Sequence, residues 1–153
     1  MRKFKWTGLA SLPFNLCVGF LMLLGKVCGL TYMQISVVFN LWVQGIALVL
    51  SAILPAVLSL YMLCSGFSVM KLLLFFLLVM QVLIYVWFFY MMLKRYHLPF
   101  NYAFVRCAND LHLLAKKCHI SYQMVNLLIF VVAFLFFIFL NLSVSYVIYQ
   151  LCE

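Results

Sequence analysis

Three long stretches of the chain carry no charged residue at all: residues 35 to 58, 72 to 93 and 124 to 147. A water-facing helix shows a polar stripe opposite its apolar one, and these segments show none, which points to lipid rather than water as their surroundings. Each exceeds the roughly 20 apolar residues that cross about 30 Å of hydrocarbon at about 1.5 Å per residue. They are predicted to be transmembrane helices. Lys71 and the Lys94-Arg95 pair bracket the second, and Trp42, Trp87, Tyr90, Tyr96, Tyr146 and Tyr149 fall where aromatic side chains favour the membrane interface. Pro55 should kink the first near its end.

Two shorter apolar segments precede the first and third spans. The motif LPFN occurs at 12 to 15 and again at 98 to 101, and beyond it the two stretches align at a constant offset of 90. Phe14, Cys17, Leu21, Leu23, Leu24, Lys26, Cys28 and Tyr32 match Phe104, Cys107, Leu111, Leu113, Leu114, Lys116, Cys118 and Tyr122. Leucine matches are cheap in so apolar a chain, whereas two cysteines, a lysine and a tyrosine in register are not. The pattern reads as a parallel internal repeat, about 12–58 and 98–147, joined by a central transmembrane helix. The competing reading is coincidence within a biased composition. Thr31 and Ser121 are the expected N-caps of the helices that follow.

The second short segment, 102–119, is amphipathic. At 100° per residue Phe104, Cys107, Ala108, Leu111, Leu114, Ala115 and Cys118 share a face, with Arg106, Asn109, Asp110, His112, Lys116, Lys117 and His119 opposite. It is expected to lie along the cytoplasmic interface, apolar face against lipid or against the bundle. In the first copy Leu16, Phe20, Met22, Leu23 and Val27 replace the polar face, so residues 12–31 should sit deeper, as an interfacial or re-entrant helix. The expected fold is therefore an all-α integral membrane protein, with three transmembrane helices and two short interfacial or re-entrant helices in a single membrane domain, 1–153.

Charge orients it. With three crossings and a cytoplasmic N-terminus, Arg2, Lys3, Lys5, Lys26, Lys94, Arg95, Arg106, Lys116 and Lys117 lie inside and Lys71 alone outside. A fourth crossing at 12–31 would put the basic 94–119 segment on the opposite side from the basic N-terminus. The expected location is the cell membrane, multi-pass, with the C-terminus extracytoplasmic.

Composition agrees: 70% of the 153 residues are hydrophobic, 8% are charged, and the mean hydropathy is +1.24. The net charge of +8 arises from ten Lys and Arg against Asp110 and Glu153. Beside apolar spans this favours anionic lipid head groups, and nucleic acid is not an expected partner. The six cysteines form no CxxC pair and read as small apolar packers, Cys107, Cys118, Cys17 and Cys28 being conceivable acylation sites. The N-terminus imitates a signal peptide in its basic and apolar regions, but Gly25-Lys26-Val27-Cys28 offers no A-x-A-like cleavage site, so retention is expected.

Catalytic chemistry finds little purchase. Paired-carboxylate hydrolysis needs two positioned acids, and Asp110 and Glu153 are expected on opposite sides of the bilayer. Ser121 beside His119 is the nearest approach to a nucleophile with a base, and reads as a helix cap. His112 and His119, seven apart with Cys118 adjacent, match no ligand spacing, and Lys116 between them would repel a cation. No metal or cofactor is expected.

The polar groups within the spans are amides, Asn40 and Gln44 (i, i+4), Gln81, Asn126 and Asn141, whose expected work is interhelical hydrogen bonding. Ala47, Ser51 and Pro55, with Ala52 and Ala56, form a small-residue ridge suited to close packing. The expected function is non-enzymatic: a membrane subunit, scaffold or anchor acting through helix packing and a basic cytoplasmic face of Lys26, Lys94, Arg95, Arg106, Lys116 and Lys117. Its partners would be the bilayer, its anionic head groups, and other membrane subunits or itself. An oligomeric pore or permeabilising protein, holin- or channel-like and lined by Gln44, Gln81 and Asn141, is the alternative, and a membrane enzyme using Cys or His the third.

Overall fold

The computed structural model describes residues 11–97 and 99–151. Arg2, Lys3, Lys5, Leu98, Cys152 and Glu153, used above for charge and alignment, lie outside the described residues. The order is α1 (Ser11–Cys28), α2 (Tyr32–Val37), a π-helical segment π1 (Val38–Val43), α3 (Gln44–Cys64), α4 (Val69–Arg95), α5 (Phe100–Cys118), α6 (Tyr122–Leu127), a second π segment π2 (Leu128–Ala133), and α7 (Phe134–Gln150). No strand occurs among the described residues.

Four continuous helices are long and apolar enough to cross a membrane: Ser11–Cys28, Tyr32–Cys64, Val69–Arg95 and Tyr122–Gln150. The sequence reading expected three. The addition is α1, whose 18 described residues include Pro13. α4 also runs past its uncharged core at both ends, taking in Lys71, Lys94 and Arg95. Long basic side chains allow this, since their stems cover apolar surface while the charged heads reach water.

The chain divides into two compact units, residues 1–42 with 96–133, and 43–95 with 134–153. Each π segment falls where the chain passes from one to the other. Neither π1 nor π2 contains Gly or Pro, and the two lie at positions 90 apart.

In the first unit α1 packs on α2 and α6, and α5 on the same two helices. The ends of α1 and α5 are built alike. Gly29 (φ +68°) and His119 (φ +56°) are left-handed, and the next N–H bonds back to Gly25 O (2.8 Å) and Ala115 O (3.1 Å) respectively, a Schellman closure. Thr31 then caps α2: its Oγ1 accepts from Gln34 N–H (3.4 Å) while its own N–H donates to Gln34 Oε1 (2.9 Å). Ser121 Oγ accepts from Met124 N–H at 3.2 Å, and Met124, lacking an acceptor, cannot complete the box. Ring contacts are reciprocal: Phe14 meets Tyr122 edge-on at 6.4 Å, and Phe104 meets Tyr32 edge-on at 5.9 Å. The core residues Leu21 and Ile35 occupy the places of Leu111 and Val125, ninety positions on.

In the second unit α3 packs against α4 and α7. Gly45 lies under the ring of Phe89, and at the far end Lys71 Nζ donates to Met62 O at 3.3 Å, so α4 runs antiparallel to α3. Gln81 meets Asn141 and Tyr85 meets Phe137, so α7 is antiparallel to α4 and therefore parallel to α3. The buried face of α3 is Ala52, Pro55, Ala56, Ser59 and Met62, of which Ala52, Ala56 and Ser59 are small enough to let helix backbones approach closely. Met62, Ala56, Leu78 and Ile148 form the apolar cluster beside it.

Candidate functional site

A hydrogen-bonded chain crosses the three helices of the second unit. Gln81 Nε2 on α4 donates to Asn141 Oδ1 on α7 (2.8 Å) and to Tyr85 Oη (3.2 Å). Asn141 Nδ2 donates to Ser51 Oγ on α3 at 2.9 Å, and Ser51 Oγ donates to Leu48 O at 2.8 Å. Asn141 is 1% exposed, so both ends of its amide are satisfied with water excluded. Such closure is required: an unpaired buried amide costs on the order of 1–3 kcal/mol. Pro55 lies one turn beyond Ser51 and has no N–H, so the Ser51 carbonyl loses its usual helical donor at the level of this network.

Of the amides singled out in the sequence, Gln81 and Asn141 are thus brought together, and Ser51, read there only as a small ridge residue, is their third partner. What marks Ser51 is its offset, since it stands 90 positions before Asn141. Gln44 opens α3 in the same unit, whereas Asn40 and Asn126 belong to the first unit. Asn40 lies inside π1, and Gln44 is the first residue of α3. Asn126 Nδ2 reaches Tyr122 Oη at 3.5 Å, the outer limit of a hydrogen bond. Its counterpart Ser36 is 4% exposed, and its hydroxyl is the buried side-chain polar atom left without a partner among the described residues.

Lys26, Lys94, Arg95, Arg106, Lys116 and Lys117 are all exposed. On α5 the buried side is formed by Ala103, Leu111 and Ala115. Leu111 and Ala115 belong to the expected apolar face, but Leu114 is 39% exposed and Cys118 is exposed, while Ala103, absent from that face, is 1% exposed. Small residues dominate because α5 packs on α2 and α6 closely enough to favour alanine. Asp110 accepts from Tyr96 Oη at 2.8 Å, and His112 stacks on the Tyr122 ring with centroids 4.2 Å apart. His119 lies beyond the helix in the left-handed position, so the helical register assumed for the His112 and His119 pair stops short of it.

Cys107 is half-buried, and burial, then the neighbouring Asp110 carboxylate, push its thiol from 9.0 up to about 11. It is therefore protonated at neutral pH, the less reactive state towards acyl transfer. Cys28, Cys64 and Cys118 are exposed. No group of three or more His, Cys, Asp or Glu arranged to hold a metal ion occurs among the described residues. No protein-family model matches the chain, and no curated protein or solved structure matches it.

Proposed function

We propose that this chain is a non-enzymatic, multi-pass membrane protein, a subunit, scaffold or anchor, that works by packing helices within the bilayer and presenting a basic cytoplasmic face. The observation that carries the reading is the Gln81–Asn141–Ser51 chain, whose polar groups are spent on one another across three apolar helices. Polar side chains used in this way hold helices together in lipid, where apolar burial between helices supplies no net drive.

The topology has three crossings, α3, α4 and α7 with their π and α extensions, in a cell membrane, with the N-terminus cytoplasmic and the C-terminus outside. What supports leaving α1 at the interface is its pairing: it occupies in the first unit the place that α5 occupies, through the reciprocal Phe14–Tyr122 and Phe104–Tyr32 contacts. α5 exposes Arg106, Lys116 and Lys117, which belong at the level of head groups and not in hydrocarbon. The duplicated unit is supported by the recurrence at an offset of 90 of the left-handed helix ends, the caps and the π segments.

Topology is tested by impermeant maleimide on intact cells, with a cysteine introduced at Ser65 in a background lacking Cys64. Labelling there and silence at Asn109→Cys support the reading; the reverse overturns it. The pore alternative requires Gln81 and Asn141 to turn from each other to a lumen, and their mutual bond weighs against that. Conductance across planar bilayers containing the purified protein would reinstate it.

A further inference from the structure

Within the first unit one side of α5 is packed on α2 and α6, and its other side is neither water-like nor lipid-like. Tyr102, Val105 and Leu113 are 68%, 51% and 60% exposed there. Arg106, Lys116 and Lys117 are exposed among them. At 100° per residue the six fall within an arc of about 120°, in the order Val105, Lys116, Tyr102, Leu113, Arg106, Lys117, so that apolar and basic side chains interleave. Asp110, the only carboxylate of α5, lies just beyond the Lys117 edge of this arc and accepts from Tyr96 Oη, so three cations stand against one acid on this side of the helix.

A helix facing bulk water gains nothing from three large apolar side chains, and one facing hydrocarbon could not hold three cations. At the boundary between head groups and acyl chains both are accommodated: the apolar side chains dip below the phosphates while Lys and Arg reach up to them. The arrangement is particular to α5. At the corresponding places α1 carries Leu16 and Val27 instead of Arg106 and Lys117, and shares only Lys26 with Lys116.

We propose that this face of α5 docks on anionic phospholipid, with Arg106, Lys116 and Lys117 on the head-group phosphates and Tyr102, Val105 and Leu113 in the acyl boundary. The inference rests on the membrane reading above and gives its basic face a specific ligand class and residue set.

The test uses the full chain in nanodiscs of phosphatidylcholine alone or with phosphatidylglycerol, no other protein present, and reads lysine acetylation by mass spectrometry. Lys116 and Lys117 should be protected at least about threefold when phosphatidylglycerol is present, with Lys71 unchanged, and the protection should fade in high salt. A triple variant Arg106→Gln, Lys116→Gln, Lys117→Gln should enter nanodiscs normally yet carry less phosphatidylglycerol through detergent purification than the wild type. A Gln81→Leu variant, which disturbs packing alone, should carry as much as the wild type. Equal labelling of Lys116 and Lys117 in both compositions overturns the proposal and turns this face over to an acidic protein surface. Equal protection of Lys71 also overturns it, as an effect of general surface charge. Failure of the chain to enter either nanodisc overturns both this proposal and the membrane reading.

Discussion

Asn141 donates a hydrogen bond of 2.9 Å to the hydroxyl of Ser51, a residue 90 positions earlier in the chain. In the proposed duplication a residue that touches its own counterpart marks the line about which the copies are related, and α3 and α7, which run parallel, meet along it. Gln81, from the central helix that has no counterpart, adds the third member and makes the arrangement asymmetric.

The first prediction concerns this network. Asn141→Leu should lower unfolding stability in detergent by about 1–2 kcal/mol, and Ser51→Ala by less, within the range measured for interhelical hydrogen bonds in lipid. The double variant should fall short of the sum, because both substitutions remove one shared bond. Strict additivity in denaturant titrations would show that the two side chains do not interact.

Gly45 is the second site. A Cβ there would overlap the ring of Phe89, so Gly45→Val should cost about 1–3 kcal/mol by forcing α3 and α4 apart. Adding Phe89→Ala to that variant should recover part of the loss. If the valine variant melts like the wild type, the close approach of α3 and α4 at this level is refuted.

Opposite signs are expected at the two left-handed helix ends. Gly29→Ala places a Cβ at φ +68° and should destabilise by about 1 kcal/mol, whereas His119→Gly relieves φ +56° and should stabilise by a similar amount. Thermal melts of the single variants decide it, and two changes of the same sign would contradict the matched ends.

Thiol chemistry supplies a pH dependence. Cys28 and Cys118 are exposed to an alkylating reagent, while Cys107 should resist it until the pH approaches about 11. Its folded pKa lies above its ordinary 9.0, so the neutral thiol contributes stability that is intact below pH 9 and is lost as pH rises through about 11. Mass-resolved iodoacetamide labelling across pH 7–11 checks this, and modification of Cys107 in step with Cys118 would count against its burial.

Much of the architecture could be read from residue type alone. The uncharged runs located α3, α4 and α7 because nothing but lipid tolerates so much apolar surface, and the offset of 90 was visible in Lys26 with Lys116 and Tyr32 with Tyr122. The packed side of α5 was legible in part: Leu111, Ala115 and Cys107 lie on it as the pattern implies, but hydrophobicity ranks Leu114 and Cys118 above Ala103, while close helix contact selects for smallness. Ser51 was legible as a small ridge residue but not as a hydrogen-bonding one, because its hydroxyl gains meaning only from Asn141, ninety positions away. The π segments left no trace either, since VFNLWV and LIFVVA contain no Gly or Pro to announce a departure from α geometry.

Those two wide turns bear on how the chain can vary in length. Removing one residue from Val38–Val43 or Leu128–Ala133 lets the turn tighten from i→i+5 to i→i+4, leaving the buried sides before and after it oriented as they were. The same loss at Leu50 would instead swing everything beyond it by about 100° and carry Ser51 away from Asn141. Single-residue gaps in naturally diverged forms of this protein should therefore cluster in those two hexapeptides.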